Sequence, residues 1–449
     1  MTFKRETRIA RILHHGANPD KGTNPDKHRS MAKEHAKEAL KAHRDAVEDA
    51  VRRVFVPHLR RAGGRRFWAT WRGTLRRLRP LGAVSLGNRI RVLSDGDEVF
   101  ERMWRAIASA ERRIVMETYT LQPDEVGGRM LRELSEAAQR GVEVDLVFDA
   151  FGSSDLPDRR VEELRASGVR AMAYNPILRW PWSGRLSRLV RNHRKILVVD
   201  EDTAFCGGMN ISADYAGKRF GNGRFRDTHL LIRGPSAGDL AEITRHLLEQ
   251  DQRKKSAVRM PLLAEISEGS LVQILESNIG RHRRAIQRAL RWTIRGSQER
   301  CYLTSPYFVP PLLLVRIMTR AARRGVDVRV LTTGRCDVPI VHAASQHMYG
   351  RLLREGVRIY EMTERTLHSK TVTIDGVYAS VGSFNLDRWS HRRNLEVTAG
   401  VLDRRMASEL EEHFQEDLES SREVRLEEWN KRTLMERVGQ ALAYQLMRL

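Results

Sequence analysis

Hydrophobic and polar positions beyond Leu93 follow two alternating rhythms. Apolar residues at every second position predict strands over Ile114 to Thr120, Val142 to Phe148, Arg300 to Ser305 and Val326 to Thr332. The strands at Val142 and Val326 each follow a segment that ends in Gly, a helix stop. One such junction, Ala137-Ala138-Gln139-Arg140-Gly141-Val142-Glu143-Val144, recurs as Ala321-Ala322-Arg323-Arg324-Gly325-Val326-Asp327-Val328. Further on, Ser167-Gly168-Val169-Arg170 parallels Glu355-Gly356-Val357-Arg358. Similarity over stretches this long marks an internal repeat, and strands alternating with helices predict an α/β layer structure in each copy. The expected organisation is an extension over 1–92, one half over 93–255, a second over 256–420 and a C-terminal amphipathic helix over 421–449. The halves are expected to join near Asp251-Gln252-Arg253-Lys254-Lys255.

The extension is different in character. Ser30 to Val56 is rich in Ala, Lys, Glu and Arg and reads as a solvated helix. From Val51 to Ser94 there is no acidic residue, while Arg recurs with Phe55, Leu59, Phe67, Trp68, Trp71, Leu75 and Leu78 between. Arg heads with aromatic wedges suit an anionic lipid surface. The alternatives are a helix docking its apolar face on the body, or contact with single-stranded nucleic acid. At the other end, Trp429, Leu434, Val438, Leu442 and Leu446 recur at helical spacing, and packing on the body is the preferred reading over lipid contact.

Composition sharpens this. The 449 residues carry 79 Lys and Arg against 57 Asp and Glu, a formal charge of +22. Such an excess seeks a polyanion: nucleic acid, an anionic membrane or a phosphate-rich substrate. Cys206, Cys301 and Cys336 are too scattered for a disulfide framework or a zinc site, so a reducing compartment is expected. No stretch reaches the ~20 apolar residues of a membrane span, and Met1 to Glu6 shows no signal-peptide core. Membrane contact is therefore expected to be peripheral.

Each half carries the same polar pattern on an apolar strand. His193-Arg194-Lys195-Ile196-Leu197-Val198-Val199-Asp200 and His368-Ser369-Lys370-Thr371-Val372-Thr373-Ile374-Asp375 both read His-x-Lys-x4-Asp. Residues two apart on a strand share a face, so His and Lys can meet one phosphate. Each Asp opens a turn into a second strand ending in Gly207-Gly208-Met209-Asn210 or Gly382-Ser383-Phe384-Asn385. Small residues there allow close backbone approach to a ligand, and Asn210, Ser383 and Asn385 can donate to phosphate oxygens. A carboxylate follows each copy: Asp227 in Arg226-Asp227-Thr228-His229, and Glu396 in Arg393-Asn394-Leu395-Glu396. A reactive imidazole needs a partner on its other nitrogen. Order along the chain suggests the pairs His193 with Asp227 and His368 with Glu396.

The doubled pattern resembles that of the phospholipase D superfamily, and the chain after Leu93 resembles the bacterial cardiolipin synthases within it. The resemblance is carried by Leu93-Ser94-Asp95-Gly96-Asp97-Glu98, Gln122-Pro123-Asp124-Glu125-Val126-Gly127, Arg191-Asn192-His193-Arg194-Lys195, Arg226-Asp227-Thr228-His229, Thr304-Ser305-Pro306-Tyr307-Phe308-Val309-Pro310 and Gly382-Ser383-Phe384-Asn385-Leu386-Asp387. It implies two α/β halves packed about a pseudo-two-fold, and phosphatidyl transfer from phosphatidylglycerol through a phosphohistidine. His193 is the expected nucleophile and His368 the expected acid and base. Lys195 and Lys370 supply charge at the phosphate, and Asp200 and Asp375 complete the two motifs; no cofactor and no metal are expected. The implied setting is peripheral, on the cytoplasmic side of a bacterial inner membrane. His229, His342, His347 and Tyr307 rank lower. Two rivals remain open at this point: a nucleic-acid phosphodiesterase, which the charge also suits, and a non-catalytic membrane-binding scaffold.

Overall fold

The computed structural model describes residues 41, 45–61, 63–176, 190–248, 269–278, 284–336 and 338–447. The expected helix start at Ser30 and the junction at 251–255 lie outside the described residues. The first half contributes β1 (Ala83–Leu93), β2 (Arg113–Thr118), β3 (Glu143–Asp149), β4 (Arg170–Tyr174), β5 (Ile196–Val199), β6 (Thr203–Gly207), β7 (Phe225–Arg226) and β8 (His229–Arg233). The second contributes β9 (Ser270–Ser277), β10 (Arg300–Thr304), β11 (Asp327–Thr333), β12 (Arg358–Met362), β13 (Thr366–Leu367), β14 (Thr371–Ile374), β15 (Tyr378–Gly382), β16 (Glu396–Leu402) and β17 (Ser421–Val424).

Fifteen strands form one sheet, in the order β4-β3-β2-β5-β6-β8-β1-β9-β16-β15-β14-β10-β11-β12-β17. Read outward from the β1–β9 seam, the two halves show the same strand order, with β17 added at one edge. The seam is antiparallel, with Ala83 opposite Ile274 and Ser85 opposite Val272. β1 therefore joins the sheet ten residues before the expected boundary at Leu93. In each half, strands buried on both faces carry near-continuous apolar runs, as Ile196–Val199 and Tyr378–Gly382 do.

The Arg-rich extension does not present its aromatic residues outward. A helix over 45–59 and the helix Gly64–Leu78 bury Phe55, Phe67, Trp71 and Leu78 against Leu275, Ile286, Leu290 and Ile294 of the second half. The ring of His58 stacks on Phe67 at 4.4 Å. Arg65, Arg66, Arg72 and Arg76 line the exposed face. The expectation of aromatic wedges for lipid is thus corrected: burying these rings in a ready protein groove contributes ~1.5–3 kcal/mol per side chain and leaves none for a bilayer.

The C-terminal helix, Leu434–Leu446, packs on the body as preferred, but by a face other than the expected stripe. Gln440, Ala443 and Tyr444 pack on the helix Pro339–Arg354, while Leu434, Val438, Leu442 and Leu446 face solvent. Of the expected stripe only Trp429 is buried, against Tyr349. Among the described residues no helix is long and apolar enough to cross a membrane.

Candidate active site

β5 begins only at Ile196 and β14 at Thr371, so each His and Lys sits in the loop that enters its strand. Ile196 lies opposite Glu117 at the end of β2, and Thr371 opposite Thr304 at the end of β10. Both histidines thereby stand at the C-terminal ends of the parallel strands, on the loop-bearing side of the sheet. His193, Lys195, His368, Lys370, Asp227 and Glu396 are all buried there.

The carboxylate partners are exchanged between the halves. His193 Nδ1 lies 3.1 Å from both Oε1 and Oε2 of Glu396, and His368 Nδ1 lies 2.6 Å from Asp227 Oδ2. This corrects the pairing expected from chain order. Its cause is backbone pairing across the pseudo-two-fold. The His193 N–H donates to Leu395 O at 3.0 Å, the His368 N–H donates to Arg226 O at 2.8 Å, and β13 runs parallel to β7. Each histidine loop lies along the other half's carboxylate-bearing segment.

The Gly-rich turns serve this exchange. A Cβ on Gly208 would stand 2.2 Å from Asp227 Oδ1, so glycine is what lets that carboxylate settle. At the equivalent position Ser383 donates its hydroxyl to Glu396 Oε2. The close approach expected toward a ligand is thus made toward the carboxylates instead. Asn210 accepts from the Thr120 N–H at 3.3 Å and donates to Tyr215 Oη at 2.8 Å. Asn385 Oδ1 is buried without a hydrogen-bond partner among the described residues.

Asp200 and Asp375 stand at the far ends of β5 and β14. Asp200 accepts from the N–H groups of Glu111, Arg112 and Arg113. Asp375 accepts from those of Gln298, Glu299 and Arg300, and from Trp71 Nε1 at 3.0 Å. Both sit in the left-handed region, with φ of 51° and 55°. They lock turns and do not touch the histidines, so their place in the site is corrected too: four strand residues carry them the length of the strand away from the imidazoles.

Electrostatics follow from burial. Desolvation lowers the His193 imidazole and, helped by Lys370, takes His368 down to about 4. Desolvation and the neighbouring Lys370 bring Lys195 down to about 7. Burial alone would raise Asp227 and Glu396, but Lys370 and His368 at the first, and His193 and Lys195 at the second, hold both low. The site is two imidazoles oriented by two carboxylates, with Lys195 Nζ donating to His193 O and Lys370 Nζ 2.8 Å from His368 Nδ1.

The halves are not equivalent. Tyr215 Oη stands 3.3 Å from His368 Nε2, and the Tyr215 ring meets this imidazole edge-on. Tyr119 meets His193 edge-on, and Lys195 Nζ lies 5.1 Å from the Tyr119 ring centroid. No hydrogen bond to His193 Nε2 is formed among the described residues. Arg194, the unassigned residue of its motif, is buried between Glu117 and Glu276, while its counterpart Ser369 donates to Thr228 Oγ1 at 2.8 Å. The sequence reading missed Tyr119, Tyr215 and Arg194. The five-residue step from Asn210 to Tyr215 was the one available signal.

The lower-ranked residues are structural. His229 is buried with Nδ1 toward the Met209 N–H at 3.4 Å, and desolvation takes it down to about 4. His342 Nδ1 lies 3.1 Å from Thr333 O, and His347 stacks on Tyr444. Tyr307 accepts through its carbonyl from Ser305 Oγ. Beside the second Gly-rich turn a cavity of about 170 Å³ opens, lined by apolar Leu290, Leu313, Leu314 and Phe384 and by polar residues that include Arg284, Arg291, Asp387 and His391.

Two repeated α/β halves with paired His-Lys loops at one end of a shared sheet define the phospholipase D class of enzyme. A family profile described as cardiolipin synthase, PLD-like domain, matches residues 103–223 and 290–418. The chain is 34% identical over 368 residues to a cardiolipin synthase of Geobacillus kaustophilus, covering 80% of this chain and 72% of that one. It is 34% identical over 362 residues to cardiolipin synthase A of Pseudomonas aeruginosa, covering 79% and 72%. In fold it is similar to phosphatidylserine synthase of Haemophilus influenzae, with a TM-score of 0.61 at 16% identity, covering 84% of this chain and 97% of that one. The chain belongs to the cardiolipin synthase family of the phospholipase D superfamily.

Proposed function

We propose that this enzyme is a phosphatidyltransferase that makes cardiolipin from phosphatidylglycerol through a covalent phosphohistidine, at an anionic membrane surface. The observation that carries this reading is the asymmetry at Nε2: His193 Nε2 makes no hydrogen bond among the described residues, whereas Tyr215 Oη stands 3.3 Å from His368 Nε2. A neutral imidazole held at Nδ1 by Glu396 offers its Nε2 lone pair to phosphorus. The N–P bond forms as the P–O bond to glycerol breaks, and His368 gives the departing alkoxide its proton. Desolvation, with Lys370 adding to it, disfavours the His368 imidazolium. A phosphodiester anion between Lys195 and Lys370 offsets that charge and lets the imidazolium form.

In the second half-reaction His368 takes the proton of an incoming hydroxyl. Its oxygen attacks phosphorus, and the N–P bond breaks with the electron pair returning to His193. With a phosphatidylglycerol hydroxyl the product is cardiolipin; with water it is phosphatidic acid. The cavity beside Phe384 is lined by apolar side chains together with arginines, a combination that suits a phospholipid. Family membership favours the same choice.

The test is incubation with phosphatidylglycerol vesicles and identification of products by mass spectrometry, with His193→Ala and His368→Ala alongside. Cardiolipin and glycerol, absent with both variants, are the expected result. Phosphatidic acid alone would make the enzyme a hydrolase, and no lipid turnover with cleavage of nucleic acid would overturn the reading.

A further inference from the structure

The exposed large hydrophobic side chains are not scattered. Five lie on one helix: Leu434, Met435, Val438, Leu442 and Leu446, with Leu434 75% and Met435 86% exposed. Residues four apart share a helical face, so Leu434, Val438, Leu442 and Leu446 form one stripe. It is nearly opposite the face that buries Gln440, Ala443 and Tyr444. Among the described residues the helix therefore buries one face and leaves the apolar stripe on the other exposed.

Six of the remaining exposed ones stand at the catalytic end of the sheet. Phe151 lies in the loop after β3, Leu312 and Leu313 follow β10, Val338 and Ile340 follow β11, and Trp389 follows β15. The C-terminal helix belongs to this end as well. Gln440 donates to Gln346, whose amide meets His342 at 2.7 Å, and His342 in turn holds Thr333 O at the tip of β11. Exposed Lys431, Arg437, Arg335 and Arg392 border these apolar positions.

We propose that the stripe Leu434–Val438–Leu442–Leu446, together with the apolar loop tips at the mouth of the site, is the surface by which the enzyme docks on an anionic phospholipid bilayer. This rests on the function proposed above and names the segment that carries its membrane contact. Exposed apolar side chains at helical spacing with basic residues beside them are what an interfacial helix presents to anionic lipid. The formal charge of +22 favours the same partner. Phe55, Phe67 and Trp71 of the Arg-rich extension are buried on the second half and do not reach a bilayer. Docking by this end sets the buried histidines against the membrane, where a lipid head group enters without leaving the interface.

The experiment uses the full chain and its Val438→Asp/Leu442→Asp and Met435→Trp variants, with vesicles of pure phosphatidylcholine or of phosphatidylcholine with phosphatidylglycerol. All three positions are exposed, so folding is expected to be unaffected and is checked by thermal unfolding. The double variant is expected to lose affinity for the anionic vesicles by at least about tenfold. It should keep its mass by light scattering and its turnover of short-chain, dispersed phosphatidylglycerol. Emission of the Met435→Trp protein is expected to shift to the blue on anionic vesicles alone. Unchanged vesicle affinity in the double variant overturns the proposal. So does a fall in mass with unchanged vesicle affinity, which would give the stripe to a second copy of the chain. Absence of turnover on any phospholipid by the unaltered protein would instead remove the proposed function, and the vesicle comparison would still decide the docking surface.

Discussion

A lysine buried beside a second lysine sets a pH limit on the site. Lys195 is brought down to about 7 by desolvation and by Lys370. A lysine carries its charge below its pKa, so the free enzyme loses this positive charge as pH rises through about 7. Because kcat/KM reports the free enzyme, it is expected to fall on the alkaline side of about pH 7. Lys195→Arg, charged throughout, should remove that limb; a profile flat across neutrality in the unaltered enzyme would sink the assignment. The exchanged carboxylates give a second prediction. With an activated donor whose leaving group needs no acid, Glu396→Gln should slow trapping of the His193 adduct on the order of 10⁴-fold, by analogy with a triad aspartate. Asp227→Asn should spare that step and slow only transfer to a poor leaving group. The reverse result would restore the pairing within each half. At this scale the sequence showed which histidines and lysines come together in the candidate site, since His-x-Lys is a local spacing. It could not show who orients whom, because strand parity says which residues share a face and nothing about which strand of the other half lies alongside.

Turns and helices show where local pattern misled. His-x-Lys-x4-Asp reads as one unit, yet the four-residue strand within it separates the Asp from the other two. Asp375 ends as an acceptor for three main-chain N–H groups and the Trp71 indole. Asp375→Asn, which tolerates the left-handed backbone at φ 55°, is expected to cost about 1–3 kcal/mol of stability. It should leave kcat within a few-fold; loss of kcat at unchanged unfolding midpoint would return Asp375 to the chemistry. The two terminal segments were misjudged for a related reason. Both the Arg-aromatic helix and the C-terminal helix are amphipathic, and amphipathicity fixes that a face is buried without saying in what. Gly64–Leu78 found a groove bounded by Leu290 and Ile294, whereas Leu434–Leu446 packs Gln440, Ala443 and Tyr444 on the body and keeps its leucine stripe outside.

Over the whole molecule, the repeat visible in the sequence predicts the two layers but not that they share one sheet. The β1–β9 seam makes the catalytic loops of both halves neighbours, and the exchanged pairs make each half chemically incomplete. His193 without Glu396 loses the contact that fixes its tautomer, and His368 without Asp227 loses the same. A protease site placed between Leu248 and Gly269 therefore tests the architecture directly. Cleavage there cuts none of the described strands and neither pair, so the nicked protein should stay associated and keep its turnover. The first half expressed alone retains His193, Lys195 and both Gly207 and Gly208, yet it should form no phosphohistidine, because the carboxylate its imidazole needs is on β16. Adduct formation by that isolated half at the intact rate would mean that orientation by Glu396 is dispensable, and the case for an exchanged site would fall with it.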